Sequence, residues 1–351
     1  MILLAIETTC DETGAAVLEA PDPPASVVPR ILASVVASQV GLHLRYGGVV
    51  PEIAARAHVR QLLPMVDEAL RRAGVTTGDL GAVAVATRPG LVGALVVGLT
   101  AAKAIALSLG IPLVAVDHLE GHLYACQLAH PDKELYPCLG LVVSGGHTSL
   151  YRCSGPTESE FLGGTTDDAA GEAFDKVASL LGLGYPGGPE IERVARQGNP
   201  RAFAFPRSFL HDERLLLSFS GLKTAVRYAL HGQNMREVVV EPSPALVSDL
   251  AASFQAAVVD AITAKTRQAL ELTGMARLAV GGGVAANTRL RESLAELAAA
   301  KGVELFIPPV ALCTDNAAMA GIALPKLAAG QVAALDIDVT AGVVRPGRPL
   351  G

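Results

Sequence analysis

One pattern occurs twice in this chain and limits its fold more than any other feature: an apolar strand, a small polar turn and a return strand. The first copy spans residues 3–18 with its turn at 8–14, and the second spans 139–152 with its turn at 144–148. Each copy is typical of a β-hairpin. Because the unit recurs at the start of each half, it indicates an internal duplication that gives two related lobes.

Helical segments with apolar residues at every third or fourth position surround the hairpins and alternate with further strands. This alternation predicts the α/β class, with the active site in the cleft between the lobes. We expect an N-terminal lobe of residues 1–122 that 312–330 rejoin, a C-terminal lobe of 123–311 and a tail of 331–351. Within them we predict helices at 54–73, 171–181 and 244–273, strands at 82–86 and 278–280, and loops at 21–29 and 182–189.

The composition excludes several classes of protein. Of 351 residues, 50% are hydrophobic and 18% charged, which is typical of a globular chain rather than a disordered one. Five cysteines without a C-x-x-C pair predict reduced thiols in a cytosolic protein, and no signal peptide is recognisable. Residues 90–116 are apolar enough to span a bilayer, but Lys103 and Pro112 interrupt them, so we predict a buried helix and a buried strand.

Two histidines four residues apart, His118 and His122, predict a metal site. On a helix both imidazoles lie on one face and can reach one ion, although a pair of structural histidines has the same spacing. Glu120 is the third residue of this motif, so the H-E-x-x-H motif of zinc peptidases is absent. A carboxylate would complete a set of two His and one acid. Asp315 is the candidate, although its position alone favours a helix N-cap.

Glycine-rich turns and clustered acids form the other candidate sites. Turns at 144–146, 187–188 and 281–283 let backbone N–H groups approach phosphates, which fits a nucleotide, but neither a Walker motif nor G-x-G-x-x-G is present. Acids cluster at Asp11 and Glu12 in the first turn, and at Asp167, Asp168, Glu172 and Asp175 around a helix start. The second group could complement the helix dipole, but Asp175 lies beyond the first helical turn, which favours a ligand contact there.

Nine segments together resemble the TsaD family, the tRNA N6-adenosine threonylcarbamoyltransferases formerly labelled O-sialoglycoprotein endopeptidases. They follow the family's order from the first residues to about residue 321. They are IETTCDET at 6–13, GVVPE at 48–52, HLEGH at 118–122, VSGGHT at 143–148, GEAFDK at 171–176, YPGGP at 185–189, FSGLKT at 219–224, GGVAAN at 282–287 and CTDN at 313–316. The resemblance implies an actin-like ATPase (ASKHA) fold with two related lobes.

The resemblance also implies site residues. In the family the H-x-E-G-H and T-D-N motifs bind one divalent metal ion, Fe2+ with Zn2+ as the alternative, which places His118, His122 and Asp315 at the metal. Asp117 departs from the family, whose members often have His there. Glu12 and His147 are the candidates for positioning the substrate or for proton transfer. Contacts to the adenylate carry over to Val142, Val143, Ser144, Gly145, Gly146, Asp175, Gly188, Glu192 and Asn287.

The implied reaction transfers threonylcarbamoyl from threonylcarbamoyl-AMP to N6 of the adenosine 3′ to the anticodon, in tRNAs that read ANN codons, giving t6A and AMP. The implied partners are tRNA, the proteins TsaB and TsaE, and a TsaC-type synthase that supplies the adenylate. The implied location is the cytoplasm, without a membrane. The alternatives are a small-molecule kinase of the same fold, a metallopeptidase and a nucleotide-dependent scaffold.

The charge distribution bears on the tRNA. A net charge of −6 argues against a nucleic-acid partner. Residues 193–236, the basic segment, nevertheless contain eight basic and two acidic side chains, a local charge of +6. A solvated surface would have the same composition. Given the resemblance, we predict that the basic segment faces the tRNA.

Overall fold

Strand β1 (Ile2–Glu7) is apolar up to its last residue and buried from residue 3 onward, as expected for the central strand of a sheet. The computed structural model describes residues 1–21, 28–232 and 242–342. The chain forms two units: Met1–Tyr136 with Cys153–Ser159 and Pro308–Gly351, and Pro137–Arg152 with Glu160–Ile307.

A five-stranded sheet forms the centre of the first unit. Besides β1, its strands are β2 (Glu12–Glu19), β3 (Arg30–Ser38), β4 (Leu80–Arg88) and β5 (Leu113–Asp117). Their order is β3-β2-β1-β4-β5; β1 pairs parallel with β4 and β4 with β5, whereas β2 is antiparallel to both β1 and β3. Strand β2 begins at Glu12, which pairs with Ser38 of β3, so the turn after β1 covers residues 8–11 and the predicted turn at 8–14 was too long.

Helices cover both faces of this sheet. They are α1 (Val40–His43), α2 (Pro51–Ala73), α3 (Val92–Leu109) and α4 (His118–Ala129). Leu62 of α2 and Leu99 of α3 pack with Ile6, whereas Tyr124 of α4 packs with Leu3 on the opposite face. The expected lobe boundary after residue 122 lies inside α4, and the first unit continues to Tyr136.

The second unit has a six-stranded sheet. Its strands are β6 (Cys138–Val143), β7 (Thr148–Gly155), β8 (Glu158–Thr165), β9 (Leu216–Leu217), β10 (Arg277–Gly281) and β11 (Glu304–Phe306). The order β11-β10-β6-β7-β8-β9 repeats, strand for strand, the order of the first sheet and adds β9 at one edge. The predicted duplication is therefore visible in the topology.

Five helices belong to the described part of the second unit. They are α5 (Ala170–Leu180), α6 (Gly187–Ala195), α7 (Ser220–His231), α8 (Pro244–Thr273) and α9 (Thr288–Lys301). The predicted loop at 182–189 was too long, because α6 begins at Gly187, directly after Pro186. Proline favours the extended conformation that precedes a helix, and a proline within the first turn, here Pro189, is tolerated.

The chain then returns to the first unit. It forms α10 (Val310–Cys313), a 3₁₀ turn at Ala317–Ile322 and α11 (Ala323–Ala328). Residues 331–342 have neither helix nor strand, but Lys103 Nζ of α3 donates to the Ile337 carbonyl at 2.5 Å. Residues 22–27 of the predicted loop and 343–351 of the tail lie outside the described residues.

The apolar stretch at 90–116 forms helix α3 followed by strand β5, as predicted. Helices α3 and α8 are long and apolar enough to cross a membrane by length and composition, a test that core helices also pass. The charged side chain of Lys103, in the middle of the apolar helix α3, is accommodated by its hydrogen bond to the Ile337 carbonyl. All five cysteines are free thiols, as predicted.

We expect Gly98→Ala to destabilise the first unit. A Cβ at Gly98 of α3 would overlap Thr8 Oγ1, which donates to the Ala94 carbonyl at 3.0 Å. The substitution should lower the free energy of unfolding by about 1–3 kcal/mol in a urea titration. Gly221→Ala, where a Cβ would meet nothing within 4 Å, is the matched control and should raise it by about 0.5–1 kcal/mol. Equal effects of the two substitutions would contradict the packing argument.

Candidate metal centre

The two histidines lie in the first two turns of α4, directly after β5. Asp117 caps this helix: its carboxylate accepts hydrogen bonds from the N–H groups of Leu119 at 2.8 Å and Glu120 at 3.4 Å. Arg88, at the end of β4, donates to the same carboxylate at 3.0 Å. The residue that departs from the family pattern thus fixes the start of the helix that carries His118.

Asp315 meets both histidines. Its Oδ1 lies 3.2 Å from His122 Nε2 and 3.5 Å from His118 Nε2. One ligand atom from each residue lies within 4.8 Å of the others, so the group can hold a metal ion. Asp315 lies between α10 and the 3₁₀ turn, whose N-cap residue is Asn316. The helix-cap interpretation of Asp315, which its position alone favoured, was wrong.

The opposite edge of the His118 ring faces Glu7 and Thr9. His118 Nδ1 lies 3.2 Å from Glu7 Oε2 and 3.2 Å from Thr9 Oγ1, and Glu7 is 1% exposed. A carboxylate accepts hydrogen bonds, so Nδ1 carries a proton and donates to it. This leaves Nε2 directed at Asp315 as the ligand atom. Metal-binding histidines commonly have such a carboxylate behind them.

His122 tests whether the group fits a metal. Its ring is fully buried, and neither nitrogen has a hydrogen-bond partner among the described residues. The approach of Nε2 to Asp315 at 3.2 Å does not have hydrogen-bond geometry. A buried imidazole nitrogen without a partner costs free energy. A coordinate bond from that nitrogen would remove the cost, so these residues fit a divalent transition metal.

The electrostatics of the group favour a positive charge. Burial disfavours the charged imidazole of His118, but Asp315 and Glu7 outweigh this and raise the pKa of His118 well above its ordinary value. Burial also disfavours the Asp315 carboxylate, yet His118 and His122 keep the pKa of Asp315 below its ordinary range. Burial and the charge of His118 lower the pKa of His122. A divalent ion would replace the proton on His118 Nε2.

Glu12, the first residue of β2, belongs to the same unit as the metal group. Burial, together with the negative charges of Asp315 and Asp11, raises the pKa of Glu12 to about 10. Glu120, by contrast, is turned away from the histidines and pairs with Lys326 of α11 at 3.0 Å. The acid of the H-x-E-G-H motif is therefore a structural ion pair and not the base that a peptidase needs beside its metal.

The predicted adenylate residues lie in the second unit, where two parallel strands end. Val142 and Val143 are buried in β6, and Gly281 of β10 pairs with Val142. After β6, the carbonyls of Ser144 and Gly145 accept hydrogen bonds from the first turn of α5. A Cβ at Gly145 or Gly146 would meet nothing within 4 Å. Gly282, at φ +97°, contacts the Val143 backbone and requires glycine.

Asp175 and Gly188 meet at the start of α6. The Asp175 carboxylate accepts the Gly187 N–H at 2.7 Å, so it fixes the turn that carries Gly188. A Cβ at Gly188 would meet nothing within 4 Å. His147, in the turn after β6, donates its backbone N–H to Ser144 Oγ at 3.1 Å.

Glu192 and Asn287 are brought together. Asn287 Nδ2 lies 3.4 Å from Glu192 Oε2 and 2.8 Å from Gln255 Oε1, while its Oδ1 caps α9. A cavity of about 300 Å³ lies beside them, lined by Glu192, Gln255 and Thr288 among others. Gln255 was missed in the sequence, since nothing in a helical repeat distinguishes it. Glu7 and Thr9 were also given no role, although they lie inside one of the family motifs.

The basic segment is less positive than its own residues indicate. Four of its arginines pair with acids, and three of these acids lie outside the segment. The pairs are Arg193 with Glu190, Arg196 with Glu192, Arg207 with Asp260 and Arg214 with Asp212. Arg201 and Lys223 have no ion pair within the described part of the chain, and Arg236 lies outside it.

The pKa of Glu12 predicts how its removal affects stability. With a folded pKa of about 10 and an unfolded pKa of about 4.3, Glu12 takes up a proton on folding between these values, so its contribution to stability falls as pH rises through that window. In the metal-free protein, Glu12→Gln should raise the free energy of unfolding by ~1 kcal/mol at pH 8 and by little at pH 4.5. Glu19→Gln, on the same strand, is the control. A gain that does not depend on pH would contradict the assignment.

The comparisons with known proteins agree with the motifs. The profile of the family described as "TsaD: tRNA N6-adenosine threonylcarbamoyltransferase" matches residues 30–322. The chain is 50% identical over 355 residues to the tRNA N6-adenosine threonylcarbamoyltransferase of Rhodopirellula baltica, covering 98% of this chain and 97% of the relative. It is 52% identical over 342 residues to the enzyme of that name from Trichlorobacter lovleyi, covering 97% and 96%.

A solved structure supports the fold. The activator of the 2-hydroxyisocaproyl-CoA dehydratase from Clostridium difficile with bound ADPNP matches with a TM-score of 0.52 at 13% identity, over 94% of this chain and 97% of that one. At that identity the match shows the fold alone, which is the predicted actin-like ATPase fold. The relatives confirm the prediction of a transferase enzyme. The chain belongs to the TsaD family of tRNA N6-adenosine threonylcarbamoyltransferases.

Proposed function

We propose that this enzyme transfers the threonylcarbamoyl group from threonylcarbamoyl-AMP to N6 of the adenosine 3′ to the anticodon, in tRNAs that read ANN codons. The N6 amine attacks the carbamoyl carbon, the bond from that carbon to the phosphate oxygen breaks, and the amine loses a proton. The products are t6A and AMP. The observation that carries the proposal is the group of His118, His122 and Asp315 with Glu7 behind it, in a chain of this family.

The metal group has a defined part in this proposal. When bound by His118, His122 and Asp315, a divalent ion, Fe2+ with Zn2+ as the alternative, supplies a Lewis acid for the carbamoyl oxygen. Glu7 keeps His118 in the tautomer that leaves Nε2 available. The burial of His122 and the absence of any hydrogen bond to its nitrogens from the described residues support its place in the ligand set.

The adenylate is assigned to the second unit. We assign the phosphate oxygens to the N–H groups of Gly145, Gly146 and Gly188, where an added Cβ would meet nothing within 4 Å. The Ser144 N–H already donates to the His147 carbonyl at 2.8 Å. Glu192 lines the cavity of about 300 Å³, and Asn287 lies within hydrogen-bond distance of Glu192, so we assign their polar groups to the nucleoside.

Glu12 is the first candidate for accepting the proton from the attacking amine. Burial raises its pKa to about 10 in the metal-free protein, so it would accept this proton only where a bound divalent ion stabilises its carboxylate. His147 is the second candidate for this role.

We further propose that the enzyme works in the cytoplasm with TsaB and TsaE, on adenylate from a TsaC-type synthase, and that no membrane is involved. The tRNA substrate follows from the family. Since most arginines of the basic segment are paired within the protein, the proposed contacts to tRNA phosphates fall chiefly on Arg201 and Lys223.

Loss of one ligand tests the metal assignment. His122→Ala should reduce the bound divalent metal from about one per chain to near zero. It should also reduce the rate of threonylcarbamoyl transfer by more than about 100-fold. This loss exceeds the 10–100-fold loss of activity that is typical of residues that only support a metal ligand. Metal analysis and nucleoside digestion of the tRNA measure the two effects. His130→Gln, just after α4, should change neither. Full metal content and activity in His122→Ala would refute the assignment.

The tRNA-facing role of the basic segment is tested by neutralising basic residues without an ion pair and, for comparison, arginines that are paired with acids. Arg201→Gln with Lys223→Gln should weaken tRNA binding and lower the slope of log Kd against log salt by about 1 for each phosphate that the variant no longer neutralises. Arg193→Gln with Arg196→Gln removes the same charge from residues already paired with acids and should have a smaller effect. Equal slopes in the wild type and the first double variant would count against a tRNA-facing role.

A further inference from the structure

A buried polar network lies behind the turn at 8–11, and neither the metal ligands nor the glycine turns belong to it. His43 and His58 are fully buried and Gln39 is 1% exposed. Polar side chains buried in this way cost free energy unless they are hydrogen-bonded. The direction of each hydrogen bond in the network follows from the donors and acceptors at its two ends.

At one end of the network, a backbone N–H determines which nitrogen of His43 carries the proton. The Val50 N–H donates to His43 Nδ1 at 3.3 Å, so a neutral His43 carries its proton on Nε2. That Nε2 lies 3.4 Å from Gln39 Oε1, which accepts. The amide nitrogen of Gln39 is then the atom 3.3 Å from His58 Nδ1, and it donates. His58 Nδ1 is therefore an acceptor.

At its other end, the network is hydrogen-bonded to the turn at 8–11. His58 Nε2 lies 3.0 Å from the Cys10 carbonyl oxygen, and because a carbonyl only accepts, Nε2 carries the proton and donates. The Thr13 hydroxyl lies 2.8 Å from both His58 Nδ1 and Gln61 Oε1 and can donate to either. Burial lowers the pKa of His58, which agrees with a neutral ring in this single tautomer.

Cys10 is the link between this network and the metal group. It directly follows Thr9, whose Oγ1 lies 3.2 Å from His118 Nδ1. The rest of the turn is held at other points. These attachments are Thr8 Oγ1 to the Ala94 carbonyl, the Leu91 N–H to the Thr9 carbonyl and the Gln39 N–H to the Asp11 carbonyl.

We infer that His58 is a positioning residue, which holds the turn at 8–11 through the Cys10 carbonyl and so keeps Thr9 and Glu7 in place behind His118. The chain of bonds from Val50 to Cys10 gives the GVVPE motif and helix α2 a part in the orientation of a metal ligand. The catalytic consequence of this inference rests on the proposed function, whereas its structural consequence does not.

The thiol of Cys10 reports on the turn directly, because Cys10 is half-buried and the other four cysteines are buried. In native full-length protein, we expect His58→Leu to increase the rate of Cys10 alkylation by iodoacetamide, followed by peptide mass spectrometry, by about 10-fold. His58→Gln should restore a rate near that of the wild type, since its side-chain N–H can replace Nε2 as the donor to the Cys10 carbonyl.

The same variants report on the metal group. His58→Leu should weaken the binding of Co2+, followed by its visible absorption, by about 10-fold, the lower end of the effects seen for residues that support a ligand. His58→Gln should bind Co2+ nearly as the wild type does. Leu62→Ala removes a buried side chain from the same helix α2 without touching the network, and it should leave both readouts unchanged.

If His58→Leu does not fold, Thr13→Val, which keeps the shape but removes the hydroxyl beside Nδ1, should shift both readouts in the same direction to a smaller extent. Wild-type alkylation and Co2+ binding in His58→Leu or in Thr13→Val would overturn the inference, as would a Leu62→Ala variant that behaves like His58→Leu. A wild-type enzyme that fails to transfer threonylcarbamoyl would refute the proposed function and leave both readouts intact.

Discussion

The hydrogen bond between Glu7 and His118 is the interaction on which the candidate site depends. A carboxylate that is 1% exposed is costly to bury, and the Thr9 N–H at 2.6 Å and the His118 ring offset that cost. In return, the carboxylate fixes the tautomer of His118 and directs Nε2 at Asp315. Without Glu7, only the Thr9 hydroxyl would contact Nδ1, and because a hydroxyl can donate or accept, the tautomer of His118 would no longer be fixed.

The topology of the sheet explains why these residues meet. Strands β1, β4 and β5 are parallel neighbours, so their carboxyl ends lie at one edge of the sheet. That edge carries Glu7, Arg88 and Asp117, and α4 begins there. In the second unit, β6 and β10 likewise end together at the glycine turns. The topology thus places a candidate functional segment after parallel strands of each sheet, in line with the general rule for parallel α/β sheets.

Much of this could be predicted from the sequence, because hydrophobic periodicity and repeated motifs are local. The hairpins, α2, α5 and α8 and the α3–β5 pair follow from such patterns.

The role of Asp315 did not follow from local patterns, because its partners are nearly 200 residues away and a helix cap has the same local sequence. The length of the turn after β1 depended on pairing between strands, and the roles of Glu7, His58 and Gln255 depended on contacts across the fold. The pairing of Glu120 with Lys326 likewise needed coordinates, and it removes the base that a peptidase would require.

The central claim is that His118, His122 and Asp315 together bind one divalent metal ion. X-ray absorption spectroscopy of the metal-loaded protein tests it most directly, because the method resolves the kind of ligand atom and its distance. We predict a first shell of nitrogen and oxygen at about 2.0–2.2 Å with the outer scattering of two imidazoles. A sulfur shell at about 2.3 Å, or a shell without imidazole scattering, would contradict the account.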